Sequence, residues 1–209
     1  MLGAADAQRL EDCLAAGGVA LFPADTVYGL ACDPEQPAAV ARLYELKRRP
    51  ATQPAAVLFA TLAVALAAVP ELEPAELAAL RALLPGPVTL LLANRARRFP
   101  LACGPDPDTL GLRVPDLAGP LAALRAVRRP VMQSSANHSG EPEARRLADV
   151  APQLRAGVDL VLDGGERPGT ASTIIDLRAY ASDQRWEIVR DGALGRAAVE
   201  QLLRGGGSA

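Results

Sequence analysis

VALFPADTVYGLACDPEQPAAVARLYELKRRP (residues 19–50) decides how the rest of the chain is read. VALFP (19–23) is a short apolar run bounded by turn residues and reads as a buried strand. ADTVYGLACDP (24–34) reads as a strand-to-helix loop. In residues 36–47 the order changes to a helical period, because Val40, Leu43, Tyr44 and Lys47 recur at i, i+3, i+4 and i+7. Pro50 stops that element, since the residue before a proline is pushed out of helical geometry. A strand, a loop and an amphipathic helix in so short a span are the parts of an α/β sheet protein.

The same pattern continues outward. Residues 5–16 predict a helix with Leu10, Cys13 and Leu14 on one face and Gly17-Gly18 as its stop. AAVLF (55–59) predicts a strand, followed by helices over 61–68 and 74–83 and a strand ending PGPVTLLLA (85–93). A loop over 94–109 leads to the strand LGLRV (110–114), a helix over 117–127 and the strand PVMQS (130–134). SANHSGEPE (135–143) is a polar loop; a helix near 144–154, strands at 158–163, 172–177 and 185–190, and a helix over 195–204 complete the chain. Strands and helices interleave without strict βα repeats. The expectation is a single α/β domain, residues 1–204, with an open, twisted mixed sheet flanked by helices. The GGGSA end, 205–209, is expected to be a disordered tail.

Composition narrows the function. Half of the 209 residues are hydrophobic but aromatics are only 3%, so the core must be built from Ala, Leu and Val. The net charge of −2 argues against a broad basic surface for nucleic acid, though not against a local basic groove. No apolar run approaches the ~18 residues of a membrane span. The N-terminus lacks the basic-then-apolar pattern of a secretory signal, and Cys13, Cys32 and Cys103 are odd in number and far apart. Both features fit a reduced, cytoplasmic protein without membrane association. With His138 the sole histidine and no C-x-x-C pair, a metal site built from side chains is not expected.

Charge usage supplies a sharper signal. Of the 22 basic residues, 21 are arginine and one is Lys47. In KRRP, an extended backbone would point Lys47 and Arg49 the same way, pairing a compact charge with a planar fork, a combination suited to a polyphosphate. The alternative is a solvated helix C-terminus that cations favour. SSAN places Ser134, Ser135 and Asn137 just past a buried strand, either to hold polar ligand groups or to form a capping turn. GLRVP buries Arg113 in an apolar strand, where it needs a partner: a protein carboxylate, or the carboxylate or phosphate of a ligand. GTAST (169–173) is a close-approach segment or a plain turn. No Walker A and no G-x-G-x-x-G motif is present, and a lone His138 supports no Ser-His-Asp set.

FPADTVYGLACDP (22–34), LKRRPATQP (46–54), LLPGPVTLLL (83–92), TLGLRVPD (109–116), SSANHSGEP (134–142), VDLVLDGG (158–165), STIIDL (172–177) and IVRDGAL (188–194), taken in order, resemble the YrdC/Sua5 family of threonylcarbamoyl-adenylate synthases. That resemblance implies an enzyme joining L-threonine, bicarbonate and ATP into L-threonylcarbamoyl-AMP, with release of pyrophosphate. A downstream threonylcarbamoyl-transferase complex then modifies adenosine 37 of tRNA, and a direct tRNA contact is open. It also implies Mg²⁺ bound through ATP phosphates, with no protein metal ligands.

Carried over by position, the family's catalytic set falls on Lys47, Arg49, Ser135 and Asn137. Its threonine contacts fall on Thr26, Arg113 and Ser172 with Tyr28 close by. Its nucleotide contacts fall on Lys47, Arg49, Gln53, Thr109, Ser135 and Arg190. The chain departs from the family pattern at Ala24, Gln53, Leu58 and Glu143. Rival readings are an RNA-binding module without adenylate synthesis, and a related carbamoyl-adenylate-forming enzyme.

Overall fold

The protein was analysed as a computed structural model, which describes residues 1–206. Its centre is one nine-stranded mixed sheet. The strands are β1 (Ala20–Pro23), β2 (Tyr28–Cys32), β3 (Ala56–Leu58), β4 (Val88–Ala93), β5 (Thr109–Arg113), β6 (Val131–Ser135), β7 (Leu160–Val161), β8 (Thr173–Asp176) and β9 (Glu187–Arg190). They lie side by side in the order β7-β1-β2-β6-β3-β5-β4-β8-β9. The β1/β7, β3/β5 and β4/β8 pairs are parallel and the others antiparallel. The helices are α1 (Ala4–Ala15), α2 (Pro37–Lys47), α3 (Leu62–Ala68), α4 (Pro74–Leu83), α5 (Pro100–Cys103), α6 (Pro152–Gly157), α7 (Tyr180–Asp183) and α8 (Arg196–Gly206). The expected open mixed α/β sheet is therefore the observed fold.

Several local expectations are corrected. The segment 24–34 is not a loop throughout, because Tyr28–Cys32 turns back on β1 as an antiparallel strand, with Leu21 opposite Leu30 and Pro23 opposite Tyr28. All five of its residues are buried, which removes the alternation that announces a half-exposed strand. The helix expected over 117–127 is a 3-10 segment, Gly119–Ala126, and the one near 144–154 divides into a 3-10 turn, Leu147–Asp149, and α6. α8 continues through Gly205 and Gly206, so the start of the expected tail is helical; residues 207–209 lie outside the described part.

Strand parity sorts the core into two layers. On one face, Leu21, Leu30, Val57, Leu90, Leu112 and Ile175 pack with α2, α4 and α8 in a continuous cluster that also takes in Phe59 and Phe99. On the other face, Ala20, Phe22, Ala31, Leu58 and Val131 meet α1 and the 3-10 segment through Leu10, Leu14, Leu121 and Leu124. This second layer covers the β7-β1-β2 side of the sheet and the ends of β6 and β3. The same face of β5, β4, β8 and β9 carries no helix, and it is there that the polar residues concentrate.

Neighbouring residues of β4 test this parity. Leu90 is buried in the helix-covered layer, while Leu91 is half-exposed on the open face. Leu90→Ala should lower the unfolding free energy by about 2–5 kcal/mol. Leu91→Ala should cost far less in chemical denaturation while changing ligand binding. Equal costs at the two positions would refute the assignment of faces.

Candidate active site

The open face forms a cleft of about 330 Å³. β5 runs along its floor, with Thr109, Gly111 and Arg113 on one side at alternate positions. At ~3.3 Å per residue these span roughly 13 Å. Gly111 leaves the middle bare, and Ala56, Leu91 and Ile174 from adjacent strands make the floor apolar. Polar groups stand around it: Arg49, Ser134 and Ser135, then Thr89, Ser172 and Arg190.

Arg113 is almost fully buried, and its resting partner is a carboxylate of the protein. Its Nη2 donates to Asp25 Oδ1 at 2.6 Å and to Thr26 Oγ1 at 3.3 Å. Asp25 in turn accepts from the Asp116 backbone N–H at 3.1 Å. Burial raises the Asp25 pKa against the opposing charge of Arg113, and burial likewise lowers that of Arg113. The Nε of Arg113 is buried and has no partner. A buried guanidinium with an unmet N–H, in a residue that lines a cleft, keeps a positive charge that the protein's own hydrogen bonds do not fully answer. Arg190, exposed on β9, donates from Nη2 to Ser172 O at 2.8 Å and to its Oγ at 3.2 Å. The Ser172 hydroxyl also meets Thr89 Oγ1 at 2.8 Å.

The sequence reading put Lys47 and Arg49 on one side of an extended chain; the structure corrects this. Lys47 is the last residue of α2, and Arg48 adopts a left-handed conformation with φ 52°. The N–H groups of Arg48 and Arg49 return to the carbonyls of Glu45 and Tyr44, so the turn comes before Pro50 is reached. Lys47 is only 2% exposed and is not on the cleft wall. Its Nζ donates to the carbonyls of Ser135 and Asn137, the latter at 2.7 Å, and to Asn137 Oδ1 at 3.2 Å. Ser135 Oγ closes the ring on Asn137 Oδ1 at 2.6 Å. Lys47 and Asn137 thus form the backing of the turn whose Ser135 faces the cleft. Arg49 does reach the wall, donating to Ser134 Oγ at 2.9 Å and to the Pro54 carbonyl, with its Nε unpartnered.

Of the other sequence candidates, Thr109, Ser172 and Arg190 line the cleft together with Arg49, Arg113 and Ser135. Thr26 lies behind Arg113. Tyr28 does not line the wall: its hydroxyl donates to Asp163 Oδ1 at 2.8 Å and Gly165 O at 3.0 Å and accepts from Gly164 N–H at 3.1 Å. It ties β2 to the loop after β7, and burial with the Asp163 hydrogen bond pushes its pKa up to about 12. Gln53 is exposed; its backbone N–H donates to the Pro50 carbonyl at 3.0 Å and its carbonyl accepts from Tyr44 Oη at 2.6 Å. Leu58 belongs to the apolar layer under α1 rather than to the cleft. The sequence reading missed Asp25 and Asp106. Asp25 was signalled by the need of Arg113 for a counter-charge. Asp106 accepts from Thr109 Oγ1 at 2.6 Å at the cleft's edge, and nothing in the sequence singled it out. Among the described residues no three or more His, Cys, Asp or Glu side chains gather as a metal site.

The family model described as Telomere recombination, Sua5/YciO/YrdC, matches residues 12–192. The chain belongs to the Sua5/YciO/YrdC family. A relative from Xanthomonas euvesicatoria pv. vesicatoria (strain 85-10), named threonylcarbamoyl-AMP synthase, is 37% identical over 161 residues, 76% of this chain and 86% of its own. The crystal structure of P. abyssi Sua5 complexed with L-threonine superposes with a TM-score of 0.82 at 27% identity over 97% of this chain, which spans 58% of that protein. E. coli YciO shares the fold, with a TM-score of 0.75 at 22% identity over 95% of each chain.

Burial, then the nearby charge of Arg49, lowers the Lys47 pKa from 10.5 to about 8, with Glu143 opposing. The unfolded chain holds this proton more tightly, so the residue costs stability below pH 8 and the cost is withdrawn as pH rises from about 8 to 10.5. Because the chain has one lysine, a sample labelled with ¹³C,¹⁵N-lysine should give a single side-chain lysine NMR signal titrating near pH 8. Titration near 10.5 would contradict the buried placement.

Proposed function

We propose that this member of the family is an L-threonylcarbamoyladenylate synthase, a nucleotidyltransferase acting on L-threonine, bicarbonate and ATP. The observation that carries the reading is the convergence of Arg49, Arg113 and Arg190 on one apolar-floored cleft. Such a site offers charge to a triphosphate and a carboxylate at once, with a flat surface for a base. The names of the relatives, and the threonine complex of P. abyssi Sua5, support the same assignment.

Threonine binds with its carboxylate toward the charge of Arg113, beside the hydroxyl of Ser172. Its unprotonated amine adds to CO₂ drawn from bicarbonate, giving a carbamate. A carbamate oxygen attacks the α-phosphorus, the bond to the bridging oxygen breaks, and pyrophosphate leaves. Transfers of this kind are accelerated mainly by positioning and by charge placed where the transition state needs it. Arg49 and Arg190 supply that charge. Ser135, with Thr109 and the neighbouring Gln53, orients the nucleotide. Lys47 acts through the turn it holds, fixing Ser135 and Asn137. Mg²⁺ accompanying ATP would supply charge neutralisation at the phosphates, beside the charge that Arg49 and Arg190 provide. We assign the reaction to the cytoplasm, the product passing to a threonylcarbamoyl-transferase complex that modifies tRNA adenosine 37. Among the described residues no helix is long and apolar enough to cross a membrane.

Pyrophosphate release should require threonine, bicarbonate and ATP together, and serine should support it more weakly. Arg113→Ala should raise the KM for threonine by about 10- to 100-fold, the value of a charge-assisted hydrogen bond. Lys47→Arg should abolish adenylate formation with an unchanged circular-dichroism spectrum, because a planar fork cannot direct donors at three acceptors converging on one nitrogen. No pyrophosphate release, accompanied by tight and salt-sensitive RNA binding, would overturn the proposal in favour of an RNA-binding module. Near-normal activity of Lys47→Arg would overturn the role given to the turn.

A further inference from the structure

Glu143 is a carboxylate in a place built for anions. It is half-buried on the wall of the cleft that Arg49, Arg113 and Arg190 also line. Its charge is felt by Lys47 and by Arg113. None of these cations takes it as a partner. Arg113 is paired with Asp25, Lys47 with the carbonyls of its turn, Arg190 with Ser172, and Arg49 with Ser134 and Pro54. The other carboxylate of the same loop, Glu141, is engaged by His138 at 3.1 Å. Glu143 makes no hydrogen bond or ion pair among the described residues.

Resting on the adenylate-forming reading, we infer that Glu143 is the protein's own contact for the divalent cation carried by the nucleotide's phosphates. A bare triphosphate brought into the cleft is repelled by this carboxylate. A small divalent ion between them turns the repulsion into a bridge, and one carboxylate plus substrate phosphates is a common way for Mg²⁺ to be held. The hydroxyl of Ser135 on the same wall offers a further hard oxygen. Glu143 therefore makes the site selective for metal-loaded over metal-free nucleotide.

The test is calorimetric binding of an α,β-methylene analogue of ATP, with Mg²⁺ or with EDTA, to the wild type, Glu143→Gln and Glu143→Asp. The wild type should bind the analogue about tenfold or more tightly with Mg²⁺, a gain of one decade in Kd. Glu143→Gln should bind the metal-free analogue more tightly than the wild type and lose most of the Mg²⁺ gain, while Glu143→Asp keeps part of it. An unchanged Mg²⁺ gain in Glu143→Gln overturns the inference. So does a variant whose only defect is weaker threonine binding, which would turn the carboxylate toward the substrate's ammonium group. Either outcome leaves adenylate synthesis standing. A wild type that binds no nucleotide under any condition would remove both.

Discussion

An ammonium group cannot be buried unless its protons are met, and in this protein that requirement organises the cleft's rim. Lys47 closes α2 from inside the fold and draws in two backbone carbonyls and an amide oxygen of the turn after β6. Because the acceptors are main-chain atoms, the turn has to keep one shape for the charge to be tolerated. The left-handed Arg48 then swings Arg49 away from the helix axis and onto the wall. One buried charge thus fixes a helix end, a loop and the aim of a neighbouring guanidinium, and the depressed pKa is the mark of what that arrangement costs. Stability at neutral pH is lower than an apolar residue in a repacked site would give, which is the usual relation between a functional group and its scaffold.

The second constraint is the uneven covering of the sheet. Both faces of β1 and β2 are sealed, by α1 and the 3-10 segment on one side and by α2 on the other. Across β5, β4 and β8 only the helix-packed face is sealed. The open face keeps Thr89, Thr109, Arg113 and Ser172 at positions where a core would demand Val or Leu. Sheet order and strand parity therefore decide where chemistry can occur before any particular side chain does.

Much of this was legible in the sequence. Runs such as VTLLLA and LGLRV gave their strands because apolar residues at this density leave few alternatives, and the helices over 61–68 and 74–83 appear within a residue or two of their expected bounds. The strand Tyr28–Cys32 was hidden because burial on both faces erases alternation. The 3-10 segment Gly119–Ala126 was hidden because Pro120 and Gly119 shift a short helix to a tighter coil without altering its apolar spacing. At the site, Arg113 advertised itself through its setting, yet whether an acid of the protein or of a ligand answered it was not decidable until Asp25 was seen 2.6 Å away. Lys47 was conspicuous by rarity, but rarity carries no direction, and its side chain turns inward. The partners of the Tyr28 hydroxyl were not legible because the backbone and carboxylate of residues 163–165 are more than 130 positions distant.

Gly111 carries a different implication. A methyl group added there would meet Ala56 and the Leu91 side chain at 3.5–3.7 Å, ordinary packing distances, so the backbone would not have to move. The added volume would instead rise into the open space of the cleft. A side chain at residue 111 therefore alters the cleft without straining the strand that floors it. Filling this position would narrow the cleft from its floor while the strands around it keep their places.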